Sequence, residues 1–117
     1  MEYFYNFEKM PEVVHRSQNS STDRITRKFI VGQQGMACVF RWKDPMVFPM
    51  HKHPHEQFSI VQQGRFRYRV GDVEREVGPG DIVMIPGNVM HGYDVLEPDS
   101  INLEFYTPVR EDFIKTI

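Results

Sequence analysis

A chain of 117 residues has room for one compact unit around a single hydrophobic core, so residues 1–117 are expected to form one domain. Hydrophobic residues at 40% and charged residues at 26% are ordinary for a soluble globular protein and exclude disorder. A formal charge of -2 argues against nucleic acid or an anionic membrane surface as the principal partner.

Residues 1–10 mix acids and aromatics with neither a basic nor a sustained apolar stretch, unlike a signal peptide or a membrane span, which points to a cytoplasmic protein. Their aromatic part, 1–7, reads as an early strand that needs a covering surface, which a partner subunit can supply. The polar stretch 17–23 reads as a loop. From 29 to 42 and from 57 to 105, short β-rich runs are divided by Gly, Pro and Asp, the pattern of an antiparallel sandwich or barrel. The single cysteine, Cys38, lies between Ala37 and Val39 in an apolar run and reads as a buried thiol with no disulfide partner. In 65–70 the alternation sends Phe66, Tyr68 and Val70 to one face and three arginines to a solvated exterior. Turns are expected at Gly71-Asp72 and at 78–81, the second leading into a strand at 82–85. The end, 110–117, reads as a short helix with Phe113, Ile114 and Ile117 on one side.

The informative segment is His51-Lys52-His53-Pro54-His55-Glu56-Gln57. Two imidazoles two residues apart on an extended chain point the same way and can reach one metal ion. Pro54 cannot donate to a central ladder, so the strand carrying His51 and His53 should end or bend there, with Gln57 opening the next strand beside them. His91 follows the turn and strand of 80–90 and supplies a fourth ligand. Glu56 is a rival to Gln57 but out of phase with it, and His55 is expected behind the ligands or on the surface.

His51-x-His53 with Gln57, a glycine at Gly64, then Gly80-x5-Pro86 and His91 resembles the two motif blocks of the cupin superfamily over 51–91. That resemblance implies an all-β fold, a double-stranded β-helix (jelly-roll barrel) with its core at about 35–107, holding one divalent transition metal ion. Homodimers are common in the superfamily, so a homodimer is expected. The family's second block usually has glycine two residues after the proline, where this chain has Asn88, and Gln57 replaces the more usual Glu. Three imidazoles and a neutral amide leave the ion's charge uncompensated, which favours an anionic ligand, and they suit Zn, Ni, Fe, Co, Cu or Mn.

His-Pro-His-Glu-Gln together with the ending 103–113 is similar to small monocupins related to a bacterial pectin-degradation protein that opens unsaturated galacturonate. In that family an acid, an aromatic and an arginine of the last segment serve the substrate pocket, and the matching positions are Glu104, Tyr106 and Arg110. By parity alone, Glu104, Tyr106 and Pro108 share one side of a final strand, and Arg110 can grip a carboxylate. The expectation is a lyase- or isomerase-type enzyme acting on a small oxygen-rich anion such as an unsaturated uronate. An Fe- or Ni-dependent dioxygenase and a non-catalytic binding module are the alternatives that the superfamily also contains.

Overall fold

Two antiparallel sheets face each other in the computed structural model, which describes residues 2–16 and 21–115. One sheet runs, in spatial order, β1 (Val13–Arg16), β2 (Ser21–Val31), β3 (Met36–Trp42), β10 (Ser100–Thr107), β5 (Glu56–Gln63) and β8 (Ile82–Ile85). The other runs β4 (Met46–His51), β9 (His91–Val95), β6 (Phe66–Val70) and β7 (Val73–Val77). From β3 onward the chain changes sheet at every connection except the β6–β7 hairpin, as in a jelly roll. The expected all-β jelly-roll architecture is therefore present.

Period-two alternation decides which side chains enter the space between the sheets. Along β10, Asn102, Glu104 and Tyr106 point inward, while Ile101, Leu103 and Phe105 point out. Trp42 and Phe66 are fully buried and meet on Tyr93, with ring centroids 5.6 and 5.7 Å from it. Burying a side chain such as Phe66 contributes about 1.5–3 kcal/mol. Gly64 has φ +82, and a Cβ there would lie 2.0 Å from Ser100 Oγ, so a larger residue would push β10 away at its start.

The β6–β7 hairpin, the strand at 82–85 and the inward set Phe66 and Tyr68 match the sequence reading, with Val70 half-buried. Cys38 is buried. Other expectations are corrected. Residues 2–6 form no strand; the backbone N–H groups of Lys9 and Met10 both bond to Asn6 O, a turn reinforced by Asn6 Oδ1 accepting from Glu8 N. The edge strand is β1 instead, and Tyr3 and Phe4 stay exposed. Ser21, Thr22 and Asp23 belong to β2, because ladder pairing of Ser21 and Thr22 with Arg16 and His15 of β1 overrides their polar character, while 17–20 lie outside the described residues. The terminal helix is only α1 (Glu111–Ile114), with Phe113 packed on the core and Ile117 outside the described residues.

Candidate metal centre

The β4–β9 ladder pairs His51 directly with His91, which sets their rings 4.4 Å apart between centroids. His53 does not continue that strand as expected: β4 stops at His51, and His53 lies in the connection to β5. Two contacts replace the ladder. Asn88 N donates to His53 O at 2.7 Å, and Gly87 packs so closely that a Cβ on it would sit 2.4 Å from Pro54 O. Asn88 takes φ 63, a left-handed backbone that asparagine tolerates better than most residues, which accounts for its standing in for the family's glycine. Clasped this way, His53 comes within 4.8 Å of His91 and 5.7 Å of His51, ring centroid to ring centroid.

All three rings are aimed alike. His51 Nδ1 is 3.1 Å from Pro49 O, His53 Nδ1 is 3.0 Å from His55 O, and His91 Nδ1 is 2.8 Å from Val89 O. A carbonyl can only accept, so each Nδ1 carries the proton and each Nε2 presents a lone pair. One nitrogen from each ring lies within 4.8 Å of the others. Among the described residues, His91 Nε2 is buried with no hydrogen-bond partner, and His53 Nε2 faces Gln57 Oε1 at 3.1 Å, acceptor against acceptor. A cation shared by these atoms satisfies both anomalies, so the donor set fits a divalent transition ion.

Gln57 enters from β5, its amide oriented by Nε2 donating to Ser59 Oγ at 3.1 Å, which turns Oε1 toward the histidines. Glu56, one residue out of phase, is exposed and points away. His55 sits behind the cluster, and its backbone carbonyl fixes the His53 tautomer.

A cavity of about 200 Å³ opens at His51, lined also by Gln57, by the aromatic rings of Trp42, Phe48 and Tyr93, and by Glu104, Tyr106 and Arg110. Glu104 and Tyr106 are each 2% exposed, deeper than the cavity mouth where parity alone placed them. Pro108 does not share their face: β10 ends at Thr107, a cis Thr107–Pro108 bond follows, and Pro108 is exposed. Arg110 is buried and stacked on Phe113, its Cζ 3.9 Å from the ring centroid. Ser59 and Asn102 extend the site beyond the residues singled out from sequence. Glu104 Oε1 accepts from Asn102 Nδ2 at 3.0 Å and from Ser59 Oγ at 3.5 Å, and Tyr106 OH donates to Oε2. Both extra residues share parity with the inward side chains of their strands, the one signal that could have found them.

Burial sets the protonation states. It is the main cause, ahead of the Arg110 charge, that pulls His53 from 6.5 down to about 4, and it lowers His91 as well. Both imidazoles are therefore neutral and ready to ligate at neutral pH. Burial raises the Glu104 carboxyl above its ordinary range, against the Tyr106 hydrogen bond and the Arg110 charge. Burial also raises the Tyr106 phenol, which stays a donor.

Among the described residues, no helix is long and apolar enough to cross a membrane. Residues 42–105 match the family described as Cupin domain. Pectin degradation protein KdgF of Dickeya dadantii (strain 3937) is 35% identical over 95 residues, 79% of this chain and 86% of that protein. The structure of KdgF from Halomonas sp. superposes with a TM-score of 0.79 at 29% identity, covering 97% of this chain and 98% of that one. An RmlC-like cupin from Shewanella frigidimarina shares the fold, with a TM-score of 0.80 at 24% identity over 97% of this chain and 96% of that one. With its jelly roll, three-histidine cluster and these matches, the chain belongs to the cupin domain family as a small member similar to KdgF.

Proposed function

We propose that this protein is a metal-dependent enzyme acting on an unsaturated uronate or similar small sugar acid, in a lyase- or isomerase-type conversion. The observation that carries this reading is the placement of a buried carboxyl, Glu104, and a buried cation, Arg110, in the same cavity as His51 and Gln57. A relative named for pectin degradation supports the substrate class.

His51, His53 and His91 through Nε2, with Gln57 through Oε1, would hold the ion. When bound it supplies Lewis-acid polarisation of a substrate oxygen without changing oxidation state. Arg110 offers its guanidinium to the substrate carboxylate through charge-assisted hydrogen bonds. Glu104 accepts or returns the proton: a carboxyl raised by burial holds a proton near neutral pH more readily than an exposed one. Tyr106 OH keeps Oε2 oriented, while the walls of Trp42, Phe48 and Tyr93 exclude water. The test is loss of the ultraviolet absorbance of unsaturated galacturonate on mixing with protein loaded in turn with Zn, Ni, Mn, Fe, Co or Cu. Glu104→Gln should lower kcat at least about 100-fold while metal content is kept. No absorbance loss with any ion overturns the proposal.

The partner we propose is a second copy of the chain, and the support lies on the outer face of the six-stranded sheet rather than at the N-terminus. Register aligns Ile30, Ala37, Phe105, Phe58 and Met84 in one row and Lys28, Val39, Leu103, Ile60 and Ile82 in the next. A two-fold axis through such a patch lets it cover itself. Light scattering should give a dimer mass for the protein and a monomer mass for Ile82→Lys; a monomeric wild type removes this part of the proposal.

A further inference from the structure

Arg110 is held on one edge only. Its Nε donates to Asp112 Oδ1 at 3.1 Å and its Nη2 to Asp112 Oδ2 at 2.6 Å, the parallel pair that a carboxylate makes with a guanidinium fork. Its side chain makes no other hydrogen bond among the described residues. The plane of the fork is set from below by Phe113, with Tyr106 at 5.1 Å from Cζ. Arg110 lines the cavity, whereas Asp112 does not. The Asp112 side chain is 59% exposed against 9% for Arg110, so the ion pair faces outward from the rim. Nη1 and the second N–H of Nη2 make no hydrogen bond among the described residues.

We propose that Asp112 is a positioning residue that fixes the roll of the Arg110 guanidinium, so that its free edge meets the substrate carboxylate. The inference rests on the reading of the cavity given above. Asp112 sits in the first turn of α1, whose N-cap is Arg110 itself, so the clamp is built from neighbours two apart and forms with the helix. A pre-set fork loses less freedom when it binds an anion than one that must be ordered by that anion. An acid beside an arginine would compete with the ligand if both needed the same two N–H groups. Here Asp112 occupies the Nε edge, and the ligand takes the other.

The test uses metal-loaded, full-length protein and the fluorescence of Trp42, the only tryptophan and a cavity wall, titrated with galacturonate and with uncharged galactose. Asp112→Ala should weaken galacturonate binding about tenfold, equal to about 1.4 kcal/mol, and leave galactose binding unchanged. Asp112→Asn keeps one acceptor oxygen and should fall between Asp112→Ala and wild type; it also decides the matter if Asp112→Ala folds poorly. With unsaturated galacturonate as substrate, KM should rise while kcat stays within about twofold. Equal or tighter galacturonate binding by both variants overturns the inference, as does a parallel loss of both sugars or a wild type that binds no galacturonate. Asp112-dependent galacturonate binding without turnover of the unsaturated acid sustains the inference and sinks the proposed reaction.

Discussion

Asn102 is the residue through which the core and the cavity depend on each other, and replacing it with alanine tests that dependence. Its side chain is fully buried, accepts from Trp42 Nε1 at 2.8 Å, and donates both to Tyr68 OH at 3.0 Å and to Glu104 Oε1 at 3.0 Å. Asn102→Ala takes the acceptor from the buried Trp42 N–H, at about 1–3 kcal/mol, and removes a donor from the Glu104 carboxyl, at about 1.5–3 kcal/mol. The Tyr68 hydroxyl loses one accepted hydrogen bond but keeps its own O–H to donate, and Ser59 and Tyr106 still serve Glu104, so the net loss should be about 3 kcal/mol. For a chain of this size that corresponds to a fall in Tm of roughly 12 °C. Urea unfolding of metal-free protein, followed by Trp42 fluorescence, measures it without metal binding adding to the stability of the folded state. A loss below about 1 kcal/mol would show that the network is not worth what its geometry implies.

Three other outcomes are expected. His91→Ala should lower metal affinity by more than about 100-fold, read by competition with a chromogenic chelator, and unchanged metal content would refute the shared site. Gly87→Ala should lower metal affinity by about 10–100-fold with β4 and β9 intact, because its Cβ would displace the backbone at Pro54 that carries His53. Metal-free protein should lose stability as pH falls from 6.5 toward 4, by up to about 3 kcal/mol. His53 titrates near 4 when folded and 6.5 when unfolded, so the unfolded chain gains a proton first. Flat stability across that window, in denaturant titrations at several pH values, would refute the burial assigned to His53.

Much of the barrel was legible because its determinants are local. Gly71-Asp72 marks the β6–β7 hairpin, and alternation alone puts Glu104 and Tyr106 on the inward face of β10. Motif spacing brought His51, His53, Gln57 and His91 to one place, although the sequence could not say how. His51 and His91 meet through ladder register, His53 through a loop clasp. The N-terminal strand was misread because aromatic content supplies β propensity but not a pairing partner, and 2–6 have none in either sheet. Ser59 and Asn102 escaped notice because a hydroxyl and an amide carry no titratable signal; only burial beside Glu104 reveals what they do. Pro108 was placed on the wrong side because strict parity holds only while the strand continues.

The uneven anchoring of the three imidazoles gives the centre a preferred exit. Two of them ride on paired strands and move only if that ladder melts, whereas the third hangs on a latch of one backbone hydrogen bond and one close glycine contact. Ion exchange should begin there, at a rate governed by the unlatching of 52–55 and indifferent to the global stability of the barrel, so that a chelator can empty the protein without unfolding it.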